Sequence, residues 1–186
     1  MKTRCEWCGD DALYVRYHDR EWGVPVKNDR KLFEFLVLEG AQAGLSWLTI
    51  LKKREGYRQA FDGFDFNKVA RYDENRIESL VNDPGIIRNR LKIRSAVKNA
   101  GALINIRNEY GTFKNYIWSF VDHEQVRNSW HKMDEIPAST GISDIMSADL
   151  KRRGFSFVGT TICYAFMQAT GMVNDHITSC FRYSEV

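Results

Sequence analysis

The sequence predicts a mostly helical fold whose two ends can be tied together, and three observations predict it. Alternation of the kind that marks long half-buried strands is absent. Apolar runs with short polar or glycine-bounded connections recur instead along the chain. The two ends also carry matched metal-type side chains, Cys5 and His18 near the start and His176 and Cys180 near the finish. Two thiols and two imidazoles suit a closed tetrahedral zinc site that would tie head to tail. His176 and Cys180 have the four-residue spacing that puts two side chains on one helical face. The same spacing also fits free cysteines and ordinary surface histidines.

Residues 1–27 read as aromatic-rich, glycine-bounded turns. Asn28 or Asp29 can cap a helix through K-L-F-E-F-L-V-L-E-G, and Ser46 can start the next, which runs to Phe61. Asp65 caps F-N-K-V-A-R-Y, and Asp73 or Glu74 opens R-I-E-S-L-V. Pro84 and Gly85 then separate two helical patterns, the second basic, with Ile86, Ile87, Leu91, Ile93 and Val97 expected on its buried side. Tyr110 to Val121 reads as a further helix, Pro137 to Ser143 as a polar connection, and Ser143 or Asp144 as the start of the next helix. The last run, T-T-I-C-Y-A-F-M-Q-A-T-G, buries Cys163 and ends at Gly171.

The 186 residues suffice for one unit, 1–186, with a real core. A hydrophobic fraction of 44% with 3 prolines and 13 glycines excludes a disordered or linker-rich chain. No stretch is apolar for long enough to span a membrane, and M-K-T-R-C-E-W-C lacks a signal core, so the expected location is the cytoplasm. Structural disulfides are uncommon there, which leaves the 4 cysteines as core residues or metal ligands.

Net charge is only +3, but it is unevenly spread. Arg88, Arg90, Lys92, Arg94, Lys98 and Arg107 follow one another with no carboxylate between them, and Lys151, Arg152 and Arg153 form a second cluster. Turn amides around Gly85 and the free N–H groups of the basic helix could hold a DNA phosphate without reading a base. A solvated basic helix in an ordinary helix pair fits the same pattern.

Trp7, Tyr14, Tyr17, Trp22 and Trp47 either fill the core or wall a pocket for an extruded nucleobase. Glu39 ends an apolar run just before glycine-rich turns, where it is either a helix-end surface charge or a buried group awaiting a cationic partner. Glu34 and Glu55 read as solvent-facing, and His123 and His131 as isolated. Cys5-x-x-Cys8 is a weak redox signature, and Cys8 could replace Cys5 as a ligand. Paired aspartates, a nucleotide-binding glycine loop and a serine-nucleophile motif are all missing.

From Cys5 to Cys180 the chain resembles the 3-methyladenine DNA glycosylase I family, the constitutive bacterial type. The resemblance rests on Y-H-D-R-E-W-G-V-P, L-F-E-F-L-V-L-E-G-A-Q-A-G-L-S-W, G-I-I-R-N-R-L-K-I, K-R-R-G-F-S-F-V-G-T-T-I-C-Y-A-F-M-Q-A-T-G and V-N-D-H. It implies an all-α helix-hairpin-helix DNA glycosylase fold with the hairpin at 78–99. Its terminal segments, 1–27 and 165–186, would be joined by structural zinc on Cys5, His18, His176 and Cys180. It also implies catalytic roles for Glu39 and Tyr17, and base contacts from Trp7, Tyr14, Trp22 and Trp47. Phosphate contacts would come from Gly85, Arg88, Arg90 and Lys92. The aspartate that most of the superfamily places after the hairpin is missing here, where Asn105 and Asn108 precede Glu109.

The expected activity is that of a monofunctional, monomeric bacterial enzyme in the cytoplasm. It would release 3-methyladenine from alkylated double-stranded DNA and initiate base excision repair. No organic cofactor and no membrane partner are expected. The alternative is a zinc-stabilised, non-catalytic DNA-binding module.

Overall fold

In a computed structural model describing residues 2–186, side-chain caps set where most helices begin. Asp11 accepts from the amides of Leu13 and Tyr14 and starts α1, Ala12–Arg20. Asn28 caps α2 (Asp29–Gln42), Ser46 caps α3 (Trp47–Ala60), Asp65 caps the short α4 (Phe66–Val69), and Asp73 caps α5 (Glu74–Val81). Asn89, Thr112 and Thr140 do the same for α6 (Arg90–Tyr110), α7 (Phe113–Trp118) and α8 (Gly141–Arg152). Each cap satisfies amides that the first turn of a helix leaves without partners. Only α9 (Thr160–Ala169), which follows Gly159, lacks a side-chain cap among these longer helices. A two-residue parallel bridge, β1 (Val126–Arg127) beside β2 (Val173–Asn174), is the extended structure of the described residues.

The core is built around α2. Every residue from Leu32 to Ala41 is buried, and α3, α6, α7 and α9 pack around that helix. A helix enclosed on all sides reads as a continuous apolar run. Enclosure also overturns the expectation for Glu34, which is buried rather than solvent-facing. Its carboxylate accepts from Arg54 Nε (2.6 Å), Arg58 Nη2 (2.9 Å) and Lys31 Nζ (3.1 Å). Three cations offset the desolvation of that carboxylate. Glu55 is exposed, as read.

Four other expectations need correction. The supposed turn region before residue 27 contains α1, because Asp11 nucleates a helix within the aromatic stretch. The basic helix starts at Arg90, so Ile86 is buried from the turn, while Leu91 projects outward at 69% exposure. The eighth helix starts before Ser143, because Thr140 and Ser143 form a reciprocal capping box. His176 and Cys180 lie on a turn, closed by a Cys180 N–H to Ile177 O bond of 2.8 Å, rather than on a helix.

The connection 82–89 joins α5 to α6 and sits on α3. Lys53 Nζ donates to Pro84 O (2.7 Å), and the Ile87 amide donates to Tyr57 Oη (3.3 Å). Between these bonds Gly56 meets Gly85 so closely that a Cβ on Gly56 would lie 2.3 Å from Gly85 O. No rotamer change relieves a clash with backbone. Gly56→Ala is therefore expected to lower the unfolding free energy by about 2–3 kcal/mol. Urea unfolding measures this, and an unchanged midpoint would contradict the close seating of the hairpin.

Candidate active site

Helices α1, α2, α3 and α9 meet around a cavity of about 220 Å³. Tyr14 and Tyr17 enter it from one face of α1, since residues three apart in a helix are neighbours. Trp7 comes from the turn before α1, Trp22 from the turn after it, and Trp47 from the first position of α3. The rings brace one another. Trp7 lies 4.9 Å from Tyr14 and 5.0 Å from Trp22, and Tyr17 lies 5.5 Å from Trp47, centroid to centroid. These tilted and edge-on contacts stiffen an aromatic wall.

Glu39 reaches the same cavity from the last turn of α2. It is 4% exposed, and no donor of the described residues bonds its carboxylate. Burial pushes its pKa up to about 8. Tyr17 is driven well above the usual phenol value by burial and then by Glu39, so it stays an O–H. Lys92 fixes the backbone just past Glu39. Its Nζ donates to Ala41 O (2.8 Å) and Ala43 O (2.6 Å), satisfying carbonyls that the end of α2 leaves open. A second cavity, sharing Glu39, Gln42 and Ala165, continues past Leu45 toward the start of α9.

Five further residues line the first cavity without having been singled out from the sequence: Gln42, Met133, Ile136, Ala165 and Gln168. Ala165 and Gln168 are three apart on α9, but that spacing is submerged in an apolar run. Met133 and Ile136 come from a one-turn 3-10 helix, Met133–Glu135, and its C-cap, a turn too short to stand out by composition.

Behind the aromatic wall, Cys5, His18, His176 and Cys180 are all buried, with one potential ligand atom each, all within 4.8 Å of one another. Cys5 Sγ to His176 Nδ1, Cys180 Sγ to His176 Nδ1 and Cys180 Sγ to His18 Nε2 are each 3.5 Å. Tetrahedral zinc bonds of about 2.3 Å to sulfur and about 2.0–2.1 Å to nitrogen require S···N edges of about 3.5 Å. The other ring nitrogens are also held, His18 Nδ1 by Asp19 Oδ1 (2.8 Å) and His176 Nε2 by Trp22 O (3.1 Å). Such outer partners orient metal-binding imidazoles. Cys8 stands outside the cluster, with its thiol donating to Cys5 O.

The hairpin residues divide by their partners. The Gly85 amide donates to Asp83 Oδ1 (2.7 Å), Arg90 pairs with Glu78, and Lys92 is engaged on α2. Arg88 enters no ion pair among the described residues, and the amides of Arg88, Arg90 and Leu91 have no protein acceptor there. These donors remain open at the start of α6. Glu109 is bound to Arg153 at 2.6 Å and takes no part in lining the cavity.

The methyladenine glycosylase family model matches residues 7–183. The chain is similar to DNA-3-methyladenine glycosylase 1 of Escherichia coli (strain K12), 52% identical over 180 residues, covering 97% of this chain and 96% of the relative. A crystal structure of 3-methyladenine DNA glycosylase I matches with a TM-score of 0.94 and 51% identity, covering 96% of this chain and 98% of that one. A structure of the Staphylococcus aureus 3-methyladenine DNA glycosylase I, concerned with 3-methyladenine recognition, matches with a TM-score of 0.93 and 34% identity, covering 96% of this chain and 95% of that one.

Proposed function

The chain belongs to the methyladenine glycosylase family, and from that premise we propose that it hydrolyses the N-glycosidic bond of 3-methyladenine in alkylated duplex DNA. One observation carries the assignment of roles. A buried carboxylate with no protein donor, Glu39, ends in an aromatic-walled cavity. Such a group is costly until a cationic ligand arrives. N3-methylation makes adenine that ligand, and the same positive charge weakens the glycosidic bond.

The flipped base enters between Trp7, Tyr14, Trp22 and Trp47, and its cationic ring gains about 0.5–2 kcal/mol from an aromatic face. Glu39, ionised by the incoming charge, accepts from the exocyclic amino group, and Tyr17 donates at the base edge. Water adds to the sugar carbon as the glycosidic bond breaks. The bond's electron pair stays with the base, which leaves neutral, and water gives its hydroxyl to the sugar and a proton to solvent. No lysine of the described residues lines the cavity, which supports a glycosylase without a covalent amine step. The open amides at the start of α6, together with Arg88, are suited to a backbone phosphate beside the lesion. Gly85, Arg90 and Lys92 shape and hold that hairpin.

The Cys5–His18–His176–Cys180 cluster fits Zn²⁺ in a closed structural site. The ion would supply cross-linking between the two terminal segments, with all four positions filled by protein.

The test is release of free base from alkylated duplex DNA, resolved by chromatography at several pH values. Selective release of 3-methyladenine without strand cutting is expected. Because Glu39 titrates near pH 8 in the empty pocket, kcat/KM should fall as pH drops below about 8. The kcat profile should extend to lower pH, since the bound cation favours the carboxylate. A folded protein that binds DNA but frees no base at any pH would refute the assignment.

A further inference from the structure

Gln168 is the one cavity-lining amide whose orientation the fold dictates, and it points to a specificity device. Its Nε2 donates to Asp175 Oδ2 at 2.8 Å. Asp175 is 1% exposed, and both its oxygens are occupied. Oδ2 also accepts from Tyr164 Oη (2.6 Å), and Oδ1 accepts from Asn128 Nδ2 (2.7 Å) and Trp130 Nε1 (2.8 Å). A flipped Gln168 would set its carbonyl oxygen against a carboxylate oxygen and lose a bond to a buried acceptor. The four-donor network therefore assigns Nε2 to Asp175 and leaves Oε1 with no protein donor among the described residues, on a side chain that lines the cavity. Gln42, the other amide on the cavity wall, has no such tether.

We propose that Gln168 Oε1, held by Asp175, is an acceptor that reads the exocyclic amino group of the extruded purine and selects 6-amino over 6-oxo bases. This rests on the glycosylase reading above and adds a specificity residue to it. Glu39 and Gln168 then offer two acceptors to a group with two N–H donors. A 6-oxo purine such as 3-methylguanine would set its oxygen against the Gln168 Oε1 acceptor, where a 6-amino group would donate. A site built around a substrate's hydrogen bond rejects the analogue that cannot make it. Gln168 is a specificity-determining residue, and Asp175 is a positioning residue that acts through it.

The experiment is Gln168→Met, which keeps length and apolar bulk while removing the acceptor. Release of 3-methyladenine and of 3-methylguanine from duplex DNA is measured side by side, with melting temperature and metal content as controls. Release of 3-methyladenine should fall about tenfold, the scale of one hydrogen bond, while release of 3-methylguanine is not lowered. Parallel loss of both activities, or loss of neither, overturns the proposal. If the variant does not fold, the wild-type protein decides. The side-chain carbonyl ¹³C resonance of Gln168 should move on titration with free 3-methyladenine, and an unmoved resonance overturns the proposal. A wild-type protein that releases neither base defeats the glycosylase reading instead, and the free-base titration still decides the role of Gln168.

Discussion

Glu39→Gln is expected to cut kcat/KM for 3-methyladenine release by about 10- to 100-fold, the range for losing a hydrogen bond to a charged group, while making the folded protein more stable. The two effects share a cause. Burial raises Glu39 from its ordinary value of 4.5 to about 8, so the folded state holds a proton that the unfolded chain has already lost. For a carboxyl raised on folding, stability declines as pH rises from the unfolded value to the folded one. The wild type therefore carries a cost of about 3 kcal/mol at pH 7, rising toward about 5 kcal/mol above pH 8 and vanishing below about pH 4. An amide carries no such cost. Urea unfolding of both proteins at pH 5, 7 and 9 should show the variant pulling ahead as pH increases. A stability difference independent of pH would remove the buried-carboxylate argument, and unchanged excision would remove Glu39 from the chemistry. Active sites commonly hold groups that stabilise the reaction at the expense of the fold.

Loss of the proposed zinc is expected to have the larger structural effect. Stripping zinc with a chelator, or changing Cys180 to Ala, should lower the unfolding free energy by more than about 3 kcal/mol, a fraction of the roughly 10–16 kcal/mol that structural zinc gives a zinc-finger peptide. Excision should fall with it, because the aromatic cavity packs against His18 and His176 of the cluster. Trp7 packs against His18 with centroids 5.4 Å apart, and Trp22 packs against His176 at 4.6 Å. Splaying the terminal segments would take two aromatic walls away from the cavity. Differential scanning calorimetry with metal analysis checks this, and zinc added back to the chelated wild type should restore both melting and activity. A metal-free protein that melts and excises normally would show the cluster to be four packed side chains and nothing more.

Much of this was legible in the sequence because local chemistry carried it. Asn28, Ser46, Asp65 and Asp73 each cap the helix they precede, since a short polar side chain before an apolar run has few better uses. The aromatic residues and Glu39 that the sequence singles out line one cavity. What local sequence does not carry depends on partners distant in the chain. Glu34 reads as solvent-facing until Arg54 and Arg58 are brought against it from α3. Leu91 reads as core from its place among Ile86, Ile87, Ile93 and Val97, but the helix starts at Arg90 and turns it outward. His176 and Cys180 converge through a turn that periodicity mistakes for a helix. Gln168 gains its orientation from Asp175, whose other donors come from α9 and from the segment after β1.

The union of the two ends has a consequence during synthesis. His18 and Cys180 are 162 residues apart. At translation rates of roughly 5–20 residues per second, the N-terminal pair would wait about 8–30 s for its counterpart. Until then Cys5 and His18 form only half of a cluster, beside aromatic rings that have no cavity to line. The segment carrying His176 and Cys180 is made well after α1 and completes the cluster behind the aromatic cavity, and a chain terminated before it would lack that closure.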